Sequence, residues 1–170
     1  ILSTLVYFIP ERFDYIISRI TSFLDPEKSG NFQATRATEA IKEGSLKGQG
    51  MGEGILKESV PEAHTDYVIA VISEEFGSII SILIISIFLF IAFRVIRRII
   101  NLNNNFYKLA LTGLISLLLF QTFIHVGVNA NLLPTTGMTL PFLSYGGSSL
   151  LSSGILAGII LNYTSSTLRN

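Results

Sequence analysis

A run of sixty residues, 109–168, contains no Asp, Glu, Lys or Arg. Soluble domains usually carry about 25% charged residues, and such a long uncharged stretch does not suit a water-facing surface. A lipid bilayer accepts it, because a helix of about 20 apolar residues crosses the hydrocarbon core. The sequence therefore predicts an all-α integral membrane protein that folds as a multi-pass helical bundle.

The charged residues are divided by sign along the chain. All twelve carboxylates lie between Glu11 and Glu75, whereas the segment 94–108 carries four basic residues and no acid. Because basic loops next to membrane helices stay in the cytoplasm, this segment is predicted to be cytoplasmic. The acid-rich region 11–67 and the loop 129–147 then share the outer face, where they can meet over one cavity.

These observations predict the organisation of the whole chain. Residues 1–10 are too few to cross a membrane, and we interpret them as the end of a transmembrane helix in the C-terminal half of a larger protein. The other predicted segments are a large extracytoplasmic loop with short amphipathic helices (11–67), transmembrane helices (68–93, 109–128 and 148–166), a cytoplasmic loop (94–108), an extracytoplasmic loop (129–147) and a cytoplasmic tail (167–170).

Composition argues against several classes of function. The chain has no Cys, so neither a disulfide framework nor thiolate chemistry is available. Its basic residues are few and scattered, which argues against a nucleic-acid partner. The glycine-rich segment 44–54 lacks the strand and helix that a dinucleotide site needs, and no organic cofactor is indicated.

Asp66 is the strongest candidate for a general base. It follows Glu62 by four residues, so the two carboxylates lie on one face of a helix. It also precedes the first full membrane segment by only a few residues. Partial desolvation and a neighbouring like charge both make a carboxylate a stronger base. The alternative is an acid that only stabilises a helix N-terminus through the macrodipole.

Four other residues carry weaker signals. Glu74 and Glu75 stand at the predicted membrane boundary, where acids are usually functional or paired; an interfacial pair reaching toward water is the alternative. His64 is a candidate for orienting a phosphate or a plain surface histidine. His125, inside a predicted span, is interpreted as a polar helix–helix contact rather than a proton relay.

Residues 133–149 form the second informative segment, with two prolines and three glycines. At membrane depth, such a backbone is tolerated only where it lines a cavity or is packed by protein. The amides of Gly146, Gly147 and Ser148, leading into a helix, would form a nest that binds an anion. The alternative is a tight turn whose small residues pack between helices.

Two segments carry a specific resemblance to a known family. Residues 61–67 (PEAHTDY) with 74–77 (EEFG), and residues 133–149 (LPTTGMTLPFLSYGGSS), resemble the signatures of the SEDS family, the shape, elongation, division and sporulation proteins. The second segment is more similar to the division branch than to the elongation branch. Thr136 stands where the division branch often has Lys, and His125 stands where the family commonly has Asn.

The resemblance implies a ten-helix enzyme of the bacterial cytoplasmic (inner) membrane that polymerises lipid II into peptidoglycan glycan strands during cell division. It implies that Asp66 is catalytic and that Asp66 or Glu62 could hold a divalent cation, Mg or Mn. The implied partners are lipid II, membrane lipid, a class B penicillin-binding protein transpeptidase and other divisome proteins. The predicted substrate-binding residues are Arg19, Lys57, Glu62, His64, Ser144, Gly146, Gly147 and Ser148, with Glu74 and Glu75 as supporting acids.

Two other classes of function stay open at this point. A lipid II flippase also uses polar residues inside spans and broken loops, although it would more often carry charges at mid-span. A non-catalytic divisome scaffold would recruit the transpeptidase through its helices. We expect the chain of 170 residues to be inactive alone, since lipid would replace half of the cavity wall.

Overall fold

The computed structural model describes residues 17, 18, 20, 21, 23 and 32–166. The regular elements of this part of the chain are all helical, which confirms the predicted all-α class. Predictions for residues 1–10, Arg19 and 167–170 lie outside the described residues. The helices of residues 32–166 are α1 (Phe32–Gly44), α2 (Leu56–Ser59), α3 (Ala63–Asp66), α4 (Val68–Phe76), α5 (Ser78–Ile100), α6 (Asn105–Asn129) and α7 (Gly147–Ser166).

Helices α5 and α6 are long and apolar enough to cross a membrane. Only 22% of the apolar window of α5 and 28% of that of α6 is buried. Their apolar side chains therefore point mostly outward, as suits lipid rather than the core of a soluble protein. Helix α7 has serines along its length and a lower hydropathy, so its crossing of the membrane stays a prediction.

The first full predicted span differs most from the structure, while α6 begins four residues before its predicted start at 109. The single helix predicted over 68–93 is divided at Gly77 into α4 and α5, and α5 continues to Ile100. Gly77 has φ 88° and ψ 162°, a conformation that is essentially restricted to glycine. A Cβ at Gly77 would also collide with the carbonyl of Leu46. The sequence pattern misses this break because an apolar run does not reveal which backbone packs against it.

The break at Gly77 is held by the glycine-rich loop that follows α1. The amide of Ser78 donates to the carbonyl of Ser45 at 2.9 Å, and the amide of Gln49 donates to the carbonyl of Glu74 at 2.8 Å. The loop thus satisfies backbone groups that the interrupted helix leaves open. The close backbone contacts of Gly44 and Gly48 with α4 give these glycines a packing role.

A small core joins α1 to α4. Helix α1 contributes Ala37 and Ala40, and Ala70 of α4 lies in the same cluster together with Tyr67. All four side chains are at most 3% exposed. Because alanine side chains are short, the two helices approach closely, and this packing fixes where α4 begins.

The remaining helices pack around α6. Side chains of α5, α6 and α7 form one apolar cluster that includes Ala92, Leu111 and Ile160. A second cluster joins Phe88 of α5 and Leu118 of α6 to Leu140, which is fully buried. Because Leu140 belongs to the segment 130–146 between α6 and α7, that segment folds back into the bundle instead of lying on its surface.

The return of this segment starts at the C-terminus of α6. The amide of Leu132 donates to the carbonyl of Gly127 at 2.8 Å, and the amide of Asn131 donates to the carbonyl of Val128 at 3.0 Å. Asn131 has φ 55°. These features define a Schellman cap with asparagine in the left-handed position. The cap reverses the chain and directs the segment 133–146 toward α3.

Candidate functional site

Asp66 lies at the junction of two helices. It is the last residue of the one-turn helix α3, and Tyr67, with φ −119° and ψ 28°, separates α3 from α4. The amide of Asp66 donates to the carbonyl of Glu62 at 3.0 Å. Asp66 is half-buried, whereas Glu62 is exposed at the start of α3. The carboxylate of Asp66 is therefore next to protein on one side and accessible on the other.

The side chain of Asn129 braces this junction. Its Nδ2 donates to the carbonyl of Asp66 at 2.9 Å, and its Oδ1 accepts from the amide of Ala70 at 2.9 Å. One buried amide thus bonds both the end of α3 and the first turn of α4. Such a bridge fixes the backbone that carries Asp66, and fixed backbone geometry is what a general base needs.

Asn129 is a residue that the sequence reasoning missed. It follows His125 by four residues on α6, and both side chains are 1% exposed. Nδ2 of Asn129 lies 3.3 Å from Nδ1 of His125. Because both residues belong to α6, this contact is within one helix, and the polar helix–helix contact predicted for His125 stays a prediction. Two buried polar residues at helical spacing near the end of a span are a signal that could have identified the pair.

The segment 133–149 docks directly onto α3. The hydroxyl of Ser144 donates to the carbonyl of Thr65 at 2.7 Å, and the amide of Tyr145 donates to the carbonyl of His64 at 3.0 Å. Gly137 lies beside Asp66, since a Cβ at that glycine would be 3.8 Å from Oδ2. The two outer segments predicted to meet are therefore in contact at Asp66.

The hydroxyl of Ser144 makes two hydrogen bonds at this contact, and we call the pair of Ser144 and Thr65 the joint. Besides donating to Thr65, the hydroxyl of Ser144 accepts from the amide of Leu140 at 2.8 Å. Both bonds are to the protein backbone, and the residue is buried at 7% exposure. The structure thus gives Ser144 a positioning role on the inner side of the site, while His64 remains exposed on its outer side.

The start of α7 stands next to this joint. Gly147 is its first residue, and Gly147 and Ser148 are exposed. The first amides of a helix have no partners within it and carry the positive end of the helix dipole. Gly146, Gly147 and Ser148 follow Tyr145 directly, so these amides lie close to α3 and suit an anion.

A groove of about 570 Å³ extends from this helix start between α6 and α7. Its polar side chains come from both helices and from the returning segment, and its floor is apolar. The hydroxyls of Thr139 and Ser149, which lie 2.8 Å apart, close one wall. The residues that line this groove include Gln121, Thr139, Ser148, Ser149, Ser152 and Leu156.

The predicted supporting acids lie elsewhere. The carboxylate of Glu74 is 1% exposed and accepts from the amides of Ile55 and Leu56, the shortest contact being 2.8 Å. Glu75 forms an ion pair with the ammonium of Lys57 at 2.9 Å. Both acids hold α2 against α4, and the structure does not bring Glu74, Glu75 or Lys57 to Asp66 through any described contact.

The described residues contain no group of three or more His, Cys, Asp or Glu side chains that could hold a metal ion. Mg is usually bound through one or two carboxylates together with substrate phosphates and waters. A cation held by Asp66 or Glu62 therefore stays a prediction.

The fold, the returning segment and the junction at Asp66 define a class of membrane protein. The chain belongs to the cell cycle protein family that comprises FtsW, RodA and SpoVE, whose sequence model matches residues 1–168. This confirms the family predicted from residues 61–67 and 133–149.

Individual relatives narrow the comparison to the division branch. The chain is 44% identical over 149 residues to the probable peptidoglycan glycosyltransferase FtsW of Caulobacter vibrioides, covering 88% of this chain and 38% of that protein. It is 40% identical over 162 residues to the protein of the same name from Geobacter metallireducens, covering 92% of this chain and 43% of that protein. The chain thus spans less than half the length of these curated relatives.

A solved structure shares the fold. It is described as a peptidoglycan synthase complex that coordinates polymerization and crosslinking. The superposition has a TM-score of 0.72 at 24% sequence identity and covers 99% of this chain and 46% of the matched chain. The match confirms the helical membrane architecture.

Proposed function

We propose that the protein containing this chain polymerises lipid II into peptidoglycan glycan strands during bacterial cell division, with Asp66 as general base. The observation that carries the proposal is the contact of residues 61–67 with residues 133–149 around a half-exposed carboxylate. The relatives named as probable peptidoglycan glycosyltransferases support the same activity.

In the proposed reaction, Asp66 takes the proton from the 4-hydroxyl of the acceptor sugar. The oxygen forms a bond to the anomeric carbon of the growing chain, and the bond from that carbon to the diphosphate oxygen breaks. Undecaprenyl diphosphate leaves with the electron pair. General base catalysis of this kind contributes about 10²–10⁴-fold, and it requires the fixed backbone that Asn129 supplies.

The leaving diphosphate needs compensation of its negative charge. The amides of Gly147 and Ser148 at the start of α7 are the nearest group of the right kind, and exposed His64 is a second candidate. Lys57 is a weaker candidate than the sequence suggested, since its ammonium is paired with Glu75. Arg19 keeps the role predicted from the sequence.

A divalent cation at Asp66 or Glu62 stays a proposal. The described residues contain no group of three or more His, Cys, Asp or Glu side chains at this position, and no step above depends on the cation. Polymerisation that survives a strong chelator and a metal-free buffer would remove the cation from the scheme.

The proposed setting is the bacterial inner membrane, with α5, α6 and α7 as three spans of a multi-pass protein. The basic segment 94–108 supports a cytoplasmic position for the connection between α5 and α6. A class B penicillin-binding protein transpeptidase is the proposed partner. The shared fold with a complex that coordinates polymerization and crosslinking supports it.

The test is polymerisation of lipid II in proteoliposomes that contain the whole protein and its transpeptidase partner. Asp66→Asn keeps the size of the side chain and removes its basicity, so polymer is expected to fall by at least about 100-fold. Glu58→Gln is the matched control, because it makes the same change at an exposed carboxylate of α2. That control should polymerise like the parent.

Polymer from Asp66→Asn at the parental rate would exclude Asp66 as the base. If the correctly folded parent makes no polymer, the proposed polymerisation activity is excluded. Translocation of labelled lipid II would then favour the flippase, and normal division with Asp66→Asn would favour the scaffold.

A further inference from the structure

A second groove lies on the other side of the bundle, between α5 and α7. Both helices pack against α6, and the space left between them is a cavity of about 390 Å³. Its surface is almost entirely apolar up to the end near Arg94 and Thr164. The apolar residues that line this groove include Phe88, Ile91, Val95, Leu118, Ala157 and Leu161.

A basic cavity of about 320 Å³ continues this groove. Arg94 and Thr164 line both cavities, so the two spaces meet at these residues. Arg97 and Arg98 complete the basic end. The result is one elongated site with an apolar body and three guanidinium groups at one end.

None of the ion pairs among the described residues involves Arg94, Arg97 or Arg98. The sequence after Glu75 contains no Asp or Glu that could pair with them. Arg97 stacks over the ring of Phe93 at 4.4 Å, which orients its guanidinium along α5. Arginine stays charged at any accessible pH and matches the oxygens of phosphate in a fork geometry.

The length of the site fits one leaflet of a bilayer. Arg97 follows Phe88 by nine residues on α5, a rise of about 14 Å at about 1.5 Å per residue. Half of the hydrocarbon core is about 15 Å thick. The apolar groove therefore has the depth of one acyl chain, and the arginines stand at the height of its phosphate.

From this geometry we propose a binding site for an anionic phospholipid such as phosphatidylglycerol. The phosphate binds Arg94, Arg97 and Arg98, and one acyl chain lies in the groove between α5 and α7. An apolar helix of a partner would fill the groove but would leave the arginines without counter-charge. A soluble phosphate would satisfy the arginines but would leave the groove empty. A lipid satisfies both ends, and basic pockets between membrane helices are known lipid sites.

The test is native mass spectrometry of the whole protein, released from detergent micelles with added phosphatidylglycerol or phosphatidylcholine. We expect phosphatidylglycerol to be retained on the parent. Changing Arg94, Arg97 and Arg98 together to Gln should lower that retention by at least about tenfold, since each basic residue near an anionic lipid contributes substantially. Phosphatidylcholine retention should be lower on the parent and unaffected by the substitutions.

Two further variants distinguish a specific lipid-binding site from a non-specific attraction between the anionic lipid and basic residues. Lys108→Gln removes a basic residue from the same predicted cytoplasmic connection, at a position that lines neither cavity. It should retain phosphatidylglycerol like the parent. Ala157→Phe fills the groove and keeps every charge, so it should lose the lipid although it inserts normally.

Equal retention by the parent and the triple variant would overturn the proposal. So would an equal loss in Lys108→Gln, which would mean that only net charge matters, or full retention in Ala157→Phe. Displacement of the lipid by millimolar glycerol phosphate alone would assign the basic end to a soluble phosphate. None of these outcomes depends on polymerisation, so the test is independent of the proposed enzymatic activity.

Discussion

Helix α4 begins and ends at a break in the helical backbone, and a different kind of side chain lies bonded near each break. At Tyr67 the break is braced from outside by the amide of Asn129, and the nearby carboxylate of Asp66 is left half-exposed. The break at Gly77 comes three residues after Glu74, whose carboxylate accepts from the amide of Ile55 and from that of Leu56, the first residue of α2. Both acids stand near a predicted membrane boundary, yet only one of them remains accessible.

The difference lies in which group of each acid takes part in the bracing. A buried carboxylate is stable only when its oxygens are satisfied, as those of Glu74 are. At Tyr67 the neutral side chain of Asn129 bonds the backbone carbonyl of Asp66 and the amide of Ala70, so this bracing does not use the carboxylate of Asp66. In the proposed reaction, Asn129 therefore holds the backbone and Asp66 acts as the base.

The largest expected effect on stability comes from Glu74→Ala. It leaves the part-buried amide of Ile55 and the buried amide of Leu56 without their charged acceptor. Hydrogen bonds to charged groups contribute about 1.5–3 kcal/mol each. We expect the free energy of unfolding to fall by about 3 kcal/mol, measured as a lower midpoint of thermal unfolding in detergent. Glu58→Ala on the exposed face of α2 is the control.

Polymerisation per folded molecule should be unchanged in Glu74→Ala. A variant that stays stable but polymerises slowly would contradict the comparison, because Glu74 would then take part in the chemistry as we propose for Asp66.

Asn129→Ala should produce a mixed effect. It removes the bridge between Asp66 and Ala70, so we expect a loss of about 2 kcal/mol of stability and a fall of about tenfold in kcat at nearly constant KM. Thr122→Val is the matched control. It removes a buried hydroxyl of the same helix that bonds only the carbonyl of Leu118 within α6.

The split between kcat and KM decides the role of Asn129. If Asn129→Ala loses stability but keeps kcat, the residue only holds the fold, and the position of Asp66 does not depend on it.

The smallest effect is expected for Lys57→Gln. Its ion pair with Glu75 is partly exposed, and such pairs contribute at most about 1 kcal/mol. Glu75→Gln should cause the same small loss, and the double variant should add little to either. Polymerisation should stay within about twofold in all three, measured with lipid II in proteoliposomes. A tenfold fall for Lys57→Gln alone would restore the diphosphate contact predicted from the sequence.

The sequence predicts much of the site because its signals are local. The spacing of Glu62 and Asp66, and the glycines and prolines of residues 133–149, mark two segments that the structure brings together. The roles of Asn129, Ser144 and Glu74 were not predicted, because each depends on a partner far away in the chain. Asn129 bonds Asp66 across 63 positions and Ser144 bonds Thr65 across 79, and no periodicity in one segment reports the backbone of another.

The joint between Ser144 and Thr65 also determines when, during translation, this contact can form. Thr65 leaves the ribosome 79 positions before Ser144. At about 5–20 residues per second, that interval lasts roughly 4 to 16 seconds. During this time α5 and α6 are made, while Asp66 waits without the segment that frames it. The contact therefore forms only after Ser144 has been made, so a ribosome that stalls between α4 and α7 leaves a chain that has Asp66 without the segment that docks onto α3.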